Sequence, residues 1–205
     1  MHHFKTIAFF IAFFYIMAAN AMAVERPEVM LERVTKQMLI ALKQNDDEIK
    51  RNHLKLVAIV DKILVPHVEL NDMSKWVVGR NAWLTASSVQ KARFENEFKD
   101  LMIRTYSSSL KAYSNQEIVY YPIKEDINDK KRVQVLSKIL ESGRAPIQVA
   151  YRLVLKGDDW KVYDIIIEGV SLLKGFKSQF EADIQQQGID VVIDKMKEHN
   201  TKPIS

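Results

Sequence analysis

Few side chains in this 205-residue sequence are arranged for chemistry. After residue 23 it holds three histidines, His53, His67 and His199, too scattered to share a metal, and no His-Glu-x-x-His spacing of a helical zinc site. Cysteine is absent, which excludes thiolate metal sites, iron–sulfur clusters, disulfides and a cysteine nucleophile. Ser142-Gly143 lacks the flanking pattern of a nucleophile elbow. The six glycines do not cluster into a phosphate-cradling loop. No metal or other cofactor is expected. Asp158 and Asp159 fall where a tight turn is expected, a routine place for aspartate. Asp164 falls inside an expected strand, and a lone buried carboxylate there would suit a small cone-like α+β enzyme moving a proton. That is the alternative function. Arg80 and Arg104 are candidates to meet an anionic phosphate or an acidic partner, or else to form structural ion pairs. The densest basic run, Lys130-Lys-Arg132, follows Glu125, Asp126 and Asp129. Such a mixed-sign loop is solvated surface, so no nucleic-acid partner is expected.

What the sequence has in excess is apolar and aromatic surface. With 47% apolar and 27% charged residues, nine Phe, seven Tyr and eight Met, it is neither a disordered chain nor a multi-span membrane protein. The formal charge of +4 gives only weak attraction to anionic polymers.

The start of the chain reads as an address. Lys5 precedes an apolar run, Thr6 to Ala19, and Asn20-Ala-Met-Ala23 supplies the small-x-small exit of a signal-peptidase site. The run is shorter than the ~20 residues of a comfortable membrane span. Residues 1–23 are therefore expected to be a secretory signal, leaving residues 24–205 as a single exported domain with net charge +3. A cysteine-free exported chain fits a periplasm.

Helical spacing dominates the first half. Pro27 opens a helix whose stripe is Met30, Val34, Met38 and Leu42. A second runs from Asn45-Asp46-Asp47 to Pro66, with Ile49, Leu56, Val60 and Ile63 on its apolar side. A short third carries Met73, Trp76 and Val77 and stops at Gly79. The longest begins at Ser87, with Gln90 completing a capping box, and lines up Phe94, Phe98, Leu101 and Met102. From Glu117 the period becomes two. Strands are expected at 118–123, 132–140, 147–155 and 160–167, joined by short turns into an antiparallel meander. The last strand is apolar on both faces, Tyr163, Ile165 and Ile167 against Trp160, Val162 and Ile166, so both faces should be covered. After Gly169, Val170, Leu173, Phe176, Phe180 and Ile184 recur at helical spacing, Gly188 breaks the run, and a last helix carries Val192 and Met196. The expected fold class is α+β: N-terminal helices, a four-stranded antiparallel sheet, then C-terminal helices. Either the core is solidly filled, or the layers enclose an apolar pocket.

Two stretches are less generic. Gly79-Arg-Asn-Ala-Trp83, Ala86-Ser-Ser-Val-Gln90, Phe94, Phe98, Leu101 and Arg104-Thr-Tyr106 resemble the central motif of the MlaC family, also called toluene-tolerance proteins. Trp160-Lys-Val-Tyr-Asp-Ile-Ile-Ile-Glu-Gly-Val-Ser171, with Ser178-Gln-Phe180, is similar to that family's C-terminal motif. The chain departs from the family pattern at Leu84, where a basic residue is frequent, and at Phe176-Lys177, where Tyr-Arg is. The resemblance implies a soluble, monomeric periplasmic carrier, not an enzyme. It would bind glycerophospholipid by its tails, leave the headgroup exposed and help maintain outer-membrane lipid asymmetry. Its implied partners are an inner-membrane ABC lipid transporter with its substrate-binding ring and an outer-membrane lipoprotein–porin complex.

A diacyl lipid has roughly 30 methylenes, and at ~0.8 kcal/mol each its tails cost on the order of 20 kcal/mol to expose to water. A carrier must replace most of that environment with plastic apolar walls, for which Met and aromatic side chains are suited. The expected walls are Trp76, Phe94, Phe98, Leu101 and Met102 from the helices and Val149, Tyr151, Leu153, Tyr163 and Ile165 from the sheet. Val170, Leu173 and Phe176 would close the far side. Arg80 and Arg104 would meet the headgroup or a partner.

Overall fold

The computed structural model describes residues 24–112 and 116–202; the expected signal, residues 1–23, lies outside them. Helix α1 (Pro27–Gln44) starts on Pro27, whose missing N–H costs nothing in a first turn, and buries Met30, Leu31, Val34, Met38 and Leu42 along one side. The single helix expected over 45–65 is interrupted. It divides into α2 (Asp46–Arg51) and α3 (His53–Ile63) at Asn52, whose backbone is extended and whose side-chain oxygen accepts the Leu54 N–H at 3.0 Å. An Asn that can cap a new helix competes with continuing the old one. A 3-10 turn (Val65–His67) follows, and the Glu69 N–H then bonds the Val162 carbonyl at 2.9 Å, pinning the chain to the sheet.

Helices α4 (Leu70–Val78) and α5 (Arg80–Thr85) meet at Gly79, with φ 86° and ψ 153°. Side chains are essentially barred from that conformation, and it turns the chain sharply. The capping box then forms as expected. Ser87 Oγ accepts the Gln90 N–H at 3.2 Å, and Gln90 Oε1 accepts the Ser87 N–H at 2.9 Å, launching α6 (Ser88–Ala112).

The sheet has five strands in the order β1-β2-β3-β4-β5, each antiparallel to its neighbour. β1 (Glu117–Tyr120) stops short of Pro122; β2 (Arg132–Leu140), β3 (Ile147–Lys156) and β4 (Asp159–Ile167) form the body. The fifth strand, β5 (Val170–Ser171), occupies what periodicity assigned to the following helix. That helix, α7 (Leu172–Gln187), starts two residues later on a Ser171 cap, and α8 (Ile189–Thr201) follows Gly188.

β4 does not alternate regularly. Its register against β3 passes from Leu153 opposite Val162 to Arg152 opposite Asp164, so Tyr163 is an extra residue in a bulge. Cross-strand rows put Val135, Tyr151 and Ile165 together, and Val133, Leu153 and Val162 together. Those rows join Met30, Leu31 and Val34 of α1 in one apolar cluster. Tyr163 is re-aimed and packs against a different cluster, built from α4 to α8. A third cluster joins α1, α2 and α3 to Ile103 of α6. Tyr163 and Ile165, expected side by side as walls, are thus separated by the bulge.

Candidate functional site

The α4–α8 cluster is organised by four phenylalanines. Phe94 contacts Phe98 (5.6 Å between centroids), Phe98 contacts Phe176 (5.1 Å), Phe176 contacts Phe180 (6.1 Å), and Phe180 returns to Phe94 (6.5 Å). Two of the four contacts are edge-on, the geometry that ring quadrupoles favour. The spacing i, i+4 on α6 and on α7 puts each pair on one helix face, and the two faces meet. Trp83 adds an edge-on contact to Phe94, with Lys91 over its ring.

Residues of α4, α5, α7, β2 and β4 line a crevice of about 510 Å³. Asp72, Lys75, Trp76, Gly79, Arg80, Leu84, Arg132, Tyr163 and Lys177 line it. Trp76 and Leu84 are 45% and 65% exposed, large apolar groups held at the opening. The Lys177 ammonium lies 5.2 Å from the Trp76 ring centroid, and the Arg132 guanidinium 5.1 Å from that of Tyr163. Asp72, the one carboxylate in the lining, is ion-paired to Lys156 at 3.1 Å. Among the described residues, Lys75, Arg80, Arg132 and Lys177 form no ion pair with a carboxylate. Arg80 also lines a second hollow of about 330 Å³ on the other side of the Gly79 corner, with Lys177, Glu181 and Ile184. The crevice offers the apolar surfaces of Trp76, Leu84 and Tyr163 together with four cationic side chains.

The residues read from sequence as walls divide among several places. Phe94, Phe98, Leu101, Leu173 and Phe176 are buried together in the phenylalanine cluster, and Met102 and Tyr163 pack against it half-buried. Tyr151, Leu153 and Ile165 belong to the cluster under α1. Val149 is buried on β3 opposite Ile167. Val170 is 67% exposed on β5. Of the two arginines, Arg80 reaches the crevice and Arg104 does not line it. Arg104 donates to the carbonyls of Asn200 (3.1 Å) and Lys202, closing the carboxyl end of α8.

Asp164 is 3% exposed and fully engaged. It accepts the Ser171 hydroxyl at 2.8 Å, the Leu173 N–H at 3.3 Å and Arg152 at 3.3 Å, while Ser171 Oγ caps the Lys174 N–H. The carboxylate is a latch between β4 and the start of α7, with its lone pairs committed to structure. Among the described residues, no group of three or more His, Asp and Glu comes together as metal ligands.

Lys75, Asp72, Leu84, Arg132 and Lys177 were not read from sequence as site residues. Arg132 ends the mixed-sign loop, and Leu84 and Lys177 were noticed only as departures from the family pattern. Nothing local marks a surface lysine or arginine as unpaired; only the tertiary arrangement does.

The family model described as MlaC protein matches residues 32–198. The chain belongs to the MlaC family. Every crevice residue falls within the matched MlaC region. The intermembrane phospholipid transport system binding protein MlaC of Haemophilus influenzae is 29% identical over 202 residues, covering 97% of this chain and 94% of that protein. The toluene tolerance protein ttg2D of Pseudomonas putida is 31% identical over 169 residues, or 82% and 78% of the two chains. A solved phospholipid-binding protein from Ralstonia solanacearum, in complex with a phospholipid, superposes with a TM-score of 0.78 at 28% identity, covering 85% of this chain and 97% of that one. The α+β architecture is therefore shared with this solved phospholipid-binding protein, and this chain has five strands where periodicity suggested four.

Proposed function

We propose that this chain is a soluble periplasmic carrier that holds glycerophospholipid by its acyl tails and shuttles it between membrane complexes, sustaining outer-membrane lipid asymmetry. The observation that carries the reading is the crevice, which sets Trp76, Leu84 and Tyr163 beside four cationic side chains, with Tyr163 also packing against the phenylalanine cluster. Its handoff partners would be an inner-membrane ABC lipid transporter with its substrate-binding ring and an outer-membrane lipoprotein–porin complex. Residues 1–23 would direct export, and the rest would work as one domain. Among the described residues no helix is long and apolar enough to cross a membrane, which suits this reading.

Volume sets a condition on the mechanism. At about 30 Å³ for a group the size of a water molecule or a methylene, 510 Å³ houses roughly 17 such groups. A diacyl lipid brings roughly 30 methylenes. In this reading the tails part the layers beside Tyr163 of β4 and enter the cluster that holds Phe98 and Phe176. Ring contacts of 5–6 Å can be exchanged for ring–methylene contacts with little change in buried apolar area. In this reading the phenylalanines are the displaced wall, and Arg80 meets the phosphate. No catalytic residue is assigned, since Asp164 is spent on the β4–α7 latch.

Organic extracts of protein purified without detergent, analysed by mass spectrometry, are expected to contain phospholipid in near-stoichiometric amount. A lipid-free extract from protein that folds and elutes normally overturns the carrier reading.

A further inference from the structure

Resting on the carrier reading, we infer that the crevice selects lipids whose headgroup carries net negative charge, such as phosphatidylglycerol, over zwitterionic ones such as phosphatidylethanolamine. Both lipid types bring the same phosphodiester; they differ in whether an ammonium travels with it. Four cations from four separate elements, Lys75 on α4, Arg80 on α5, Arg132 on β2 and Lys177 on α7, converge on one opening without a carboxylate to balance them. Unpaired cations in a cleft with low-dielectric walls focus a positive potential there.

Among the residues lining the crevice, an ammonium entering the same opening would find no unpaired carboxylate. Asp72 is already paired with Lys156. Aromatic faces are the other usual partners of a ligand ammonium, and both faces at the opening have a cation of the chain's own beside them: Lys177 on Trp76, Arg132 on Tyr163. The site thus rewards the phosphate and penalises the ammonium. One Lys or Arg held near an anionic group is worth on the order of fivefold in binding, so the preference should be of at least that size.

The test is competitive loading. Delipidated full-length-purified protein is offered vesicles of equal parts phosphatidylglycerol and phosphatidylethanolamine with matched acyl chains, and extracts of the reisolated protein are weighed by mass spectrometry. About fivefold or greater enrichment of phosphatidylglycerol is expected, shrinking as salt rises. Arg80→Gln, and the combined Arg80→Gln, Arg132→Gln and Lys177→Gln variant, should bring the ratio toward one, whereas Arg93→Gln, outside the crevice, should leave it unchanged. Equal loading, or enrichment of phosphatidylethanolamine, overturns the inference and leaves the carrier reading standing. Enrichment that survives the combined variant also overturns it, because the crevice is then not its source. Inorganic phosphate alone should not displace loaded lipid at physiological concentration; displacement would make this a free-anion site and overturn the inference. Protein that takes up neither lipid fails the carrier reading itself, and this inference with it.

Discussion

Along the seam between α6 and α8, the charged side chains are engaged by partners of the fold. Gln90 and Arg93 reach Asp190 and Asp194, Asn200 donates to Glu97, and Arg104 finishes the end of α8. At the crevice between α4, α5 and α7, four cations stand without an ion-pair partner among the described residues. The two rims differ in how their charges are partnered. Pairs on the α8 side hold helices together and need nothing further. Cations gathered in a cleft without ion-pair partners raise the positive potential there.

The largest expected effect tests the phenylalanine cluster. Phe98→Ala, at a fully buried ring touching Phe94 and Phe176, should cost about 3–5 kcal/mol by denaturant unfolding and abolish lipid loading. A loss below 1 kcal/mol would mean the phenylalanine cluster does not hold α6 and α7 together. Next comes the latch that fixes the crevice wall. Asp164→Asn should cost about 1–3 kcal/mol, because it weakens charge-assisted bonds at the start of α7. Unaltered melting would show that α7 is held some other way. Arg93→Gln, half-exposed between two exposed acids, should cost no more than ~1 kcal/mol. Arg80→Gln should be neutral or slightly stabilising, within ~0.5 kcal/mol. If Arg80→Gln proves the more destabilising of the two, the contrast between the rims is broken.

The smallest effect lies away from both rims. Burial, helped by the Arg33 and Lys161 charges, holds His67 below its usual 6.5. A depressed value means the unfolded chain takes up that proton first as pH falls. The His67 contribution is therefore complete above about pH 6.5 and is lost as pH drops toward the folded value. Comparing wild type with His67→Gln in unfolding experiments across that window should show a shallower pH slope in the variant.

Elements whose signal is local were legible in the sequence. The capping box of Ser87 and Gln90 and the bounds of β2 follow from neighbours a few residues apart, whereas β3 does not keep the strict alternation its sequence suggests: Val154 is buried beside Leu153 and Ile147 is exposed. The Asn52 break was hidden because the apolar stripe runs straight across it. The bulge at Tyr163 was hidden for a related reason. When both faces of a strand are apolar, one extra residue leaves no scar in the pattern, yet it decides which cluster Tyr163 joins. The crevice was less legible still. Its lining comes from α4, α5, β2, β4 and α7, and lack of an ion pair is a property of positions far apart in the chain. Arg80 and Trp76 were readable as candidates through the resemblance; Arg132, Lys75 and Lys177 become distinctive only when brought together.

The sheet ends at one side in the four residues of β1, halted by Pro122, and at the other in the two residues of β5. Long outer strands would recruit sibling molecules into stacked assemblies, a hazard for any protein whose working surfaces are greasy. Here the two outermost strands are themselves too short to act as such templates.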